Sequence, residues 1–216
     1  MVTRRRVVAL STALVAPLVT GVAPAVIEAR KKRKTVTRTF SNAASITLPG
    51  GVVTAPAAPY PSPIMVSGLK KGKILKVRVL LNGYTYDVPD DIDVLLAASH
   101  LPGLNAIIMS DVGSVHPVSN VNLILDDDAA NPLPDTDQLI SGTYRPANYN
   151  GSMDSWPAPA PGPSGNSALS VFNGQNPNGE WQLWINDWQG NGPGSFANGW
   201  SIEITAKVKK KKKKKK

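Results

Sequence analysis

The chain contains no cysteine, and His100 and His116 are its only histidines in 216 residues. Without thiols there is no disulfide framework, no thiolate metal site and no cysteine nucleophile. The two histidines form no H-E-x-x-H or H-x-H pairing, so a catalytic zinc site of the usual spacing is absent. G-x-S-x-G and G-x-x-x-x-G-K-[ST] are missing too, which removes the hydrolase elbow and the phosphate loop. A Ser–His–Asp site built from remote positions and a carboxylate pair for glycoside hydrolysis stay open in principle. No spacing singles out their members, and the chain reads as non-catalytic. Past the first apolar run, no segment repeats apolar residues at helical spacing over three or four turns.

Turns and short strands are what the chain does contain. Glycine numbers 18 and proline 19, a density that suits short strands joined by tight turns. The stretches "ASITLP" (44–49), "IMVSGL" (64–69), "DIDVLLAAS", "NAIIMSDVG", "NVNLILDDDAA", "LSVF", "EWQLWIND" and "WSIEITAKV" read as strands. In "KILKVRVLLNG" (73–83), Leu75, Val77, Val79 and Leu81 share one face, while Lys76 and Arg78 take the other. The expected fold class is all-β, an antiparallel sandwich or barrel. A turn-rich segment at 131–167 is too long for a hairpin loop and is expected as a functional loop or an arm over one sheet.

The two ends differ from the body. Arg4, Arg5 and Arg6 precede an apolar run from Val7 to Val26 that ends in small residues, the pattern of a secretory signal over 1–29. "TRRRVV" resembles a twin-arginine export signal. Pro17 and Pro24 weigh against a stable membrane anchor. A basic linker is expected at 30–37, a sandwich at 38–206 and a disordered polylysine tail at 207–216. Between Thr35 and Ala206 stand seven basic residues against fourteen acidic ones, so an acidic body joins two cationic ends. The tail points to anionic cell-envelope polymers or surfaces. It lacks the interleaved aromatics that base stacking needs, so sequence-specific nucleic-acid binding is not expected.

Acidic residues cluster at strand ends, and hard cations take several carboxylate and carbonyl oxygens from such loops. The candidate ligands for a structural calcium ion are Asp91, Asp93, Asp111, Asp126, Asp127 and Asp187. The competing explanation is a solvated acidic rim that blunts sheet edges. In "EWQLWIND", Trp181, Leu183 and Ile185 share a core face, and "WSIEITA" places Trp200, Ile202 and Ile204 the same way, as though the two were paired strands. Trp184 and Trp188, with Gln182 and Asn186, form the candidate binding face for a sugar; the alternative is that the 131–167 arm covers Trp184.

"SALSVFNGQNPNGEWQLWINDWQGNGPGSFANGWSIEI" resembles the closing region of the P (Homo B) domain, which follows the subtilisin-like domain of kexin- and furin-type proprotein convertases and many bacterial secreted proteases. Pro177, Gly179, Trp181 and Leu183 match its Pro-x-Gly-x-Trp-x-Leu strand, followed by Gly194 or Gly199 and "WSIEI". Upstream, "DDIDVLLAASHLPGLNAIIMSD" resembles its Asp-Leu-x-(apolar)-x-Leu strand, with the usual Ser-Pro-x-Gly turn altered to "SHLPG". The resemblance spans roughly 38–206 and implies a galactose-binding-like jelly-roll sandwich, often associated with calcium. It carries no protease triad across, so it implies a stand-alone, secreted or envelope-associated binding or stabilising module. The alternatives are a carbohydrate-binding module, a small hydrolase, or an accessory to a separately encoded serine endopeptidase.

Overall fold

In "KILKVRVLL" and "WSIEITA" every second side chain is apolar, and such alternation buries one face of each strand against a second sheet. The computed structural model describes residues 33–51, 54–150, 154 and 156–210. The expected signal at 1–29, the basic residues at 30–32 and the last six lysines lie outside the described residues. Among those described there are thirteen strands and no α-helix.

One sheet runs β1 (Arg33–Asn42), β13 (Trp200–Lys209), β5 (Lys73–Tyr86), β12 (Gly194–Phe196), β2 (Ile46–Leu48), with β8 (Val118–Asp126) on β5 and β9 (Gly142–Tyr144) on β8. The other runs β10 (Ala147–Asn148), β7 (Asn105–Ser110), β6 (Ile92–Ala98), β11 (Gly179–Asp187), β3 (Ala55–Pro56), with β4 (Ser62–Val66) also on β11. Most pairings are antiparallel, as expected; β7–β10 and β8–β9 are parallel, so both sheets are mixed.

The inner faces meet in one apolar core that includes Trp181, Trp200, Tyr84, Phe172 and Phe196. Tyr84 stacks on Phe196 at 4.5 Å, and Phe172 meets Trp181 edge-on at 4.8 Å. Trp181 and Trp200 do sit in one core, but their strands are not paired. β11 and β13 belong to opposite sheets, and the Trp200 indole N–H reaches across to Ser62 Oγ on β4 (3.1 Å).

Three further differences have local causes. Leu75 is 45% exposed and Ile74 is buried, because the register slips where β5 pairs Thr205 and Ala206 of β13. That irregularity inverts the phase before Val77, while Val77, Val79 and Leu81 keep the expected one. "LSVF" is a 3-10 turn, Leu169–Phe172, whose first N–H groups at Leu169 and Ser170 are taken by Asp127 (2.9 and 2.7 Å). The basic linker and the tail are also shorter than expected. Arg33 to Thr37 and Lys207 to Lys209 are strand residues, because β1 and β13 pair with each other over Arg33↔Lys209 to Asn42↔Trp200.

The 131–167 segment does lie over a sheet. Asn105 donates to Gly162 O (2.9 Å) and accepts from Ser164 N (2.7 Å), and Tyr60 Oη donates to Pro157 O (3.0 Å). This cover explains why β6 and β7 are buried along their whole length, on both faces.

Gly179 shows why the Pro-x-Gly-x-Trp-x-Leu stretch has its glycine. Its φ is +144°, and an added Cβ would lie 2.3 Å from the His100 ring. Pro177 O meanwhile accepts the Trp181 indole N–H (3.0 Å). Gly179→Ala is expected to destabilise the protein by about 2 kcal/mol or more, from clash and backbone strain together. In urea denaturation, adding His100→Ala should recover part of that loss, since the two sites share one contact.

Candidate metal centre

Beyond Tyr86 at the end of β5, the 3-10 turn Pro89–Asp91 leads straight into β6. This brings Asp90, Asp91 and Asp93 beside the end of β7, where Asp111 follows Ser110 with φ +53°. Asp154 arrives from the long arm. Together with Asn150, Trp188 and Gln189 these five carboxylates line a cavity of about 170 Å³.

Ser110 organises the cavity floor. Its fully buried hydroxyl lies 2.7 Å from Asp93 Oδ1, 2.9 Å from Asp111 Oδ2 and 3.1 Å from Asp154 Oδ1. A serine carries one proton, so it donates to only one of three carboxylates. The other contacts set lone pairs against lone pairs unless a carboxyl is protonated or a cation lies among them. Asn148 donates to Asp154 Oδ2 (2.8 Å), while its buried Oδ1 has no hydrogen-bond partner among the described residues.

Burial raises the pKa of Asp90, Asp91, Asp93 and Asp154. Asp93 is pushed up to about 8, chiefly by desolvation, opposed by the Ser110 hydrogen bond and assisted by Asp154, Asp111 and Asp91. Desolvation also raises Asp90, Asp91 and Asp154. Among the described residues no basic side chain lines the cavity.

The six sequence-derived ligands therefore divide. Asp91, Asp93 and Asp111 line the cavity. Asp187 is fully buried beside them and already engaged: Tyr86 Oη donates to its Oδ2 (2.6 Å), and Gln189 N and Gly190 N donate to its Oδ1 (3.2 and 2.7 Å). It anchors the turn that carries Asn191, whose amide donates to Asp91. Asp126 and Asp127 are elsewhere. Asp126 meets Lys76 (2.7 Å) and Arg78 (3.0 Å). Desolvation tends to raise its pKa, but Lys76, the Asp128 N–H and Arg78 outweigh that and lower it. Asp127 is spent on the 3-10 turn. Charge already neutralised by lysine, arginine or backbone N–H groups is not free for an ion.

Sequence reasoning missed Ser110, Asn148 and Asp154 as site residues. The last two have no local signal, being ordinary polar residues in the long segment. Asp90 was legible, one residue from Asp91 in "PDDID".

Of the four proposed sugar contacts, Gln182 and Trp184 line one cavity of about 520 Å³, but Asn186 and Trp188 do not share it. Trp184 is 3% exposed, under Tyr60 (edge-on at 4.7 Å), Trp156 and Ala160. Little of the indole face is left for a pyranose to stack on. Asn186 is fully buried, and Gln182 donates to Glu180 Oε1 (2.7 Å). Trp188 is half-buried at the acidic cavity instead. Neither histidine joins a catalytic set: the His100 ring nitrogens face Glu180 O (3.3 Å) and Asn176 O (3.0 Å), and His116 is exposed at a turn.

Comparison of the chain with protein-family models, curated proteins and solved structures finds no match.

Asp93 makes the metal-free protein pH-sensitive. Its folded pKa lies above the unfolded value of about 3.9, so the native state holds its proton more tightly. That contribution is full at low pH and is lost as pH rises toward about 8. In chelator, thermal melts from pH 5 to 8 should show wild type losing stability relative to Asp93→Asn, by an amount on the order of a few kcal/mol.

Proposed function

We propose that the chain is a secreted, non-catalytic β-sandwich module of the P (Homo B) kind, with a jelly-roll topology and a structural calcium ion at its acidic end. The observation that carries the metal reading is the convergence of Asp93, Asp111 and Asp154 on the single Ser110 hydroxyl. Three carboxylates around one proton are poor as a closed hydrogen-bond network and suited to a hard cation, which prefers several oxygens. Asp93, Asp111 and Asp154 would hold the ion, with Asn148 Oδ1, which has no hydrogen-bond partner among the described residues, as a neutral donor and Asp90 and Asp91 at the rim.

Among the described residues no three histidine, aspartate or glutamate side chains are spaced to hold a metal ion as they stand, so the reading requires the carboxylates to move inward. Binding therefore closes the carboxylates on the ion, tying β6, β7 and the arm together. The consequence is stabilisation, because an ion that binds only the folded state shifts the unfolding equilibrium. The family reading rests on Pro177, Gly179, Trp181 and Leu183 and on the two-sheet architecture. The lysine-rich end adds retention at an anionic envelope surface.

Calcium at about a hundred times its dissociation constant should stabilise the protein by about 2.7 kcal/mol. Melting curves in chelator and in millimolar calcium measure this. Asp111→Asn and Asp154→Asn should shrink the increment; identical wild-type curves in the two conditions would remove the metal from the proposal.

A further inference from the structure

The fold sorts charge in a way that the linear sequence hides. Of the seven basic residues between Thr35 and Ala206, three are engaged. Lys76 and Arg78 pair with acids, and Arg145 donates to Ala129 O and Ala130 O (2.9 and 2.6 Å). The remaining four, Arg38, Lys70, Lys71 and Lys73, have no ion pair among the described residues. They gather where the two basic ends meet, because β1 pairs with β13 in the register Arg33↔Lys209 and β13 pairs Lys207 with Lys73.

A groove runs through this region at the open edge of the sandwich, between β1 of one sheet and the turn that follows β4 of the other. Its volume is about 560 Å³. Lys34, Arg38 and Lys70 stand on its rim with Lys210, over a floor that includes Val36 and Leu69. Lys34, Arg38 and Lys70 are exposed; the first two stand on β1 and Lys70 on the turn joining β4 to β5, so their charges flank the groove instead of pointing from one strand. Two acidic side chains border the region in register, and both are occupied. Glu203, opposite Thr39, accepts from Arg78 (2.9 Å), and Glu180, opposite Met65, accepts from Gln182 (2.7 Å).

We propose that this groove binds a linear phosphate polyanion. The inference rests on the reading of the chain as a binder of anionic surfaces, but assigns that property to a folded site and not to the tail alone. Like charges gathered in one place repel, and a polyanion relieves that repulsion while releasing its own counterions. The recessed floor favours a threadlike ligand over a flat lipid surface, which would touch only the rim.

The test uses the whole chain and linear inorganic polyphosphate. Binding is measured against salt for wild type, for a groove variant (Lys34→Gln, Arg38→Gln and Lys70→Gln together) and for a tail variant with Lys211 to Lys216 changed to Gln. Acetylation of Lys34 and Lys70 in the wild type, with and without polyphosphate, reports the site even if the groove variant fails to fold. The groove variant is expected to bind about tenfold or more weakly, with a salt slope smaller by about 2, and polyphosphate should protect Lys34 and Lys70. Wild-type affinity in a folded groove variant, or equal labelling with and without polyphosphate, overturns the proposal. So does protection of the same lysines by anionic lipid vesicles but not by polyphosphate. Loss of all binding and protection in the tail variant also overturns the groove and leaves the tail reading standing. An unchanged tail variant beside a weakened groove variant does the reverse.

Discussion

The ten-residue antiparallel pairing of β1 with β13 is the contact on which the rest depends. It joins the first described strand to the last and completes the edge of one sheet. It also places Val36 and Phe40 against the core. Asn42, at the end of the same pairing, donates to Ser62 Oγ and Pro63 O (3.2 and 3.0 Å) and so fastens the two sheets at their seam. A charged run that would otherwise stay solvated is held as strand because its inward backbone groups pair with β13, while Arg33, Lys34 and Arg38 keep their side chains in water.

Charge is divided along β5. Its first residue, Lys73, lies in the basic region, and the turn after its last, Tyr86, leads into the acidic cavity. Between them, Lys76 and Arg78 are both paired, with Asp126, Asp128 and Glu203. The middle of the strand is therefore electrostatically settled and the two regions beyond it are not. Both functional proposals follow from that imbalance: one asks for a cation, the other for an anion.

The core was legible in the sequence wherever alternation was regular. Trp181, Leu183 and Ile185 lie in the main core, and Trp184 lies on the opposite face, as period two requires. Leu75 was not legible, because a register slip depends on the partner strand and leaves no mark of its own. Arg33 to Thr37 read as a linker because a cationic run carries no apolar pattern, yet β13 recruits it. Within the site, Asp91, Asp93 and Asp111 were found because carboxylates gather at strand ends. Asp154 was missed because a long segment brings it in from far along the chain. Asp126 and Asp127 were over-read, since sequence counts charges and does not show which ones already have partners.

The shared end of β1 and β13 also governs how the protein would respond to tension. Arg33 and Lys209 sit opposite each other, so a pull on both chain ends loads one ladder rung before the next. The strands would peel apart in sequence, at lower force than if every rung were sheared together. A molecule tethered at both ends would thus yield first at this edge, separating Val36 and Phe40 from the core before the acidic end was disturbed.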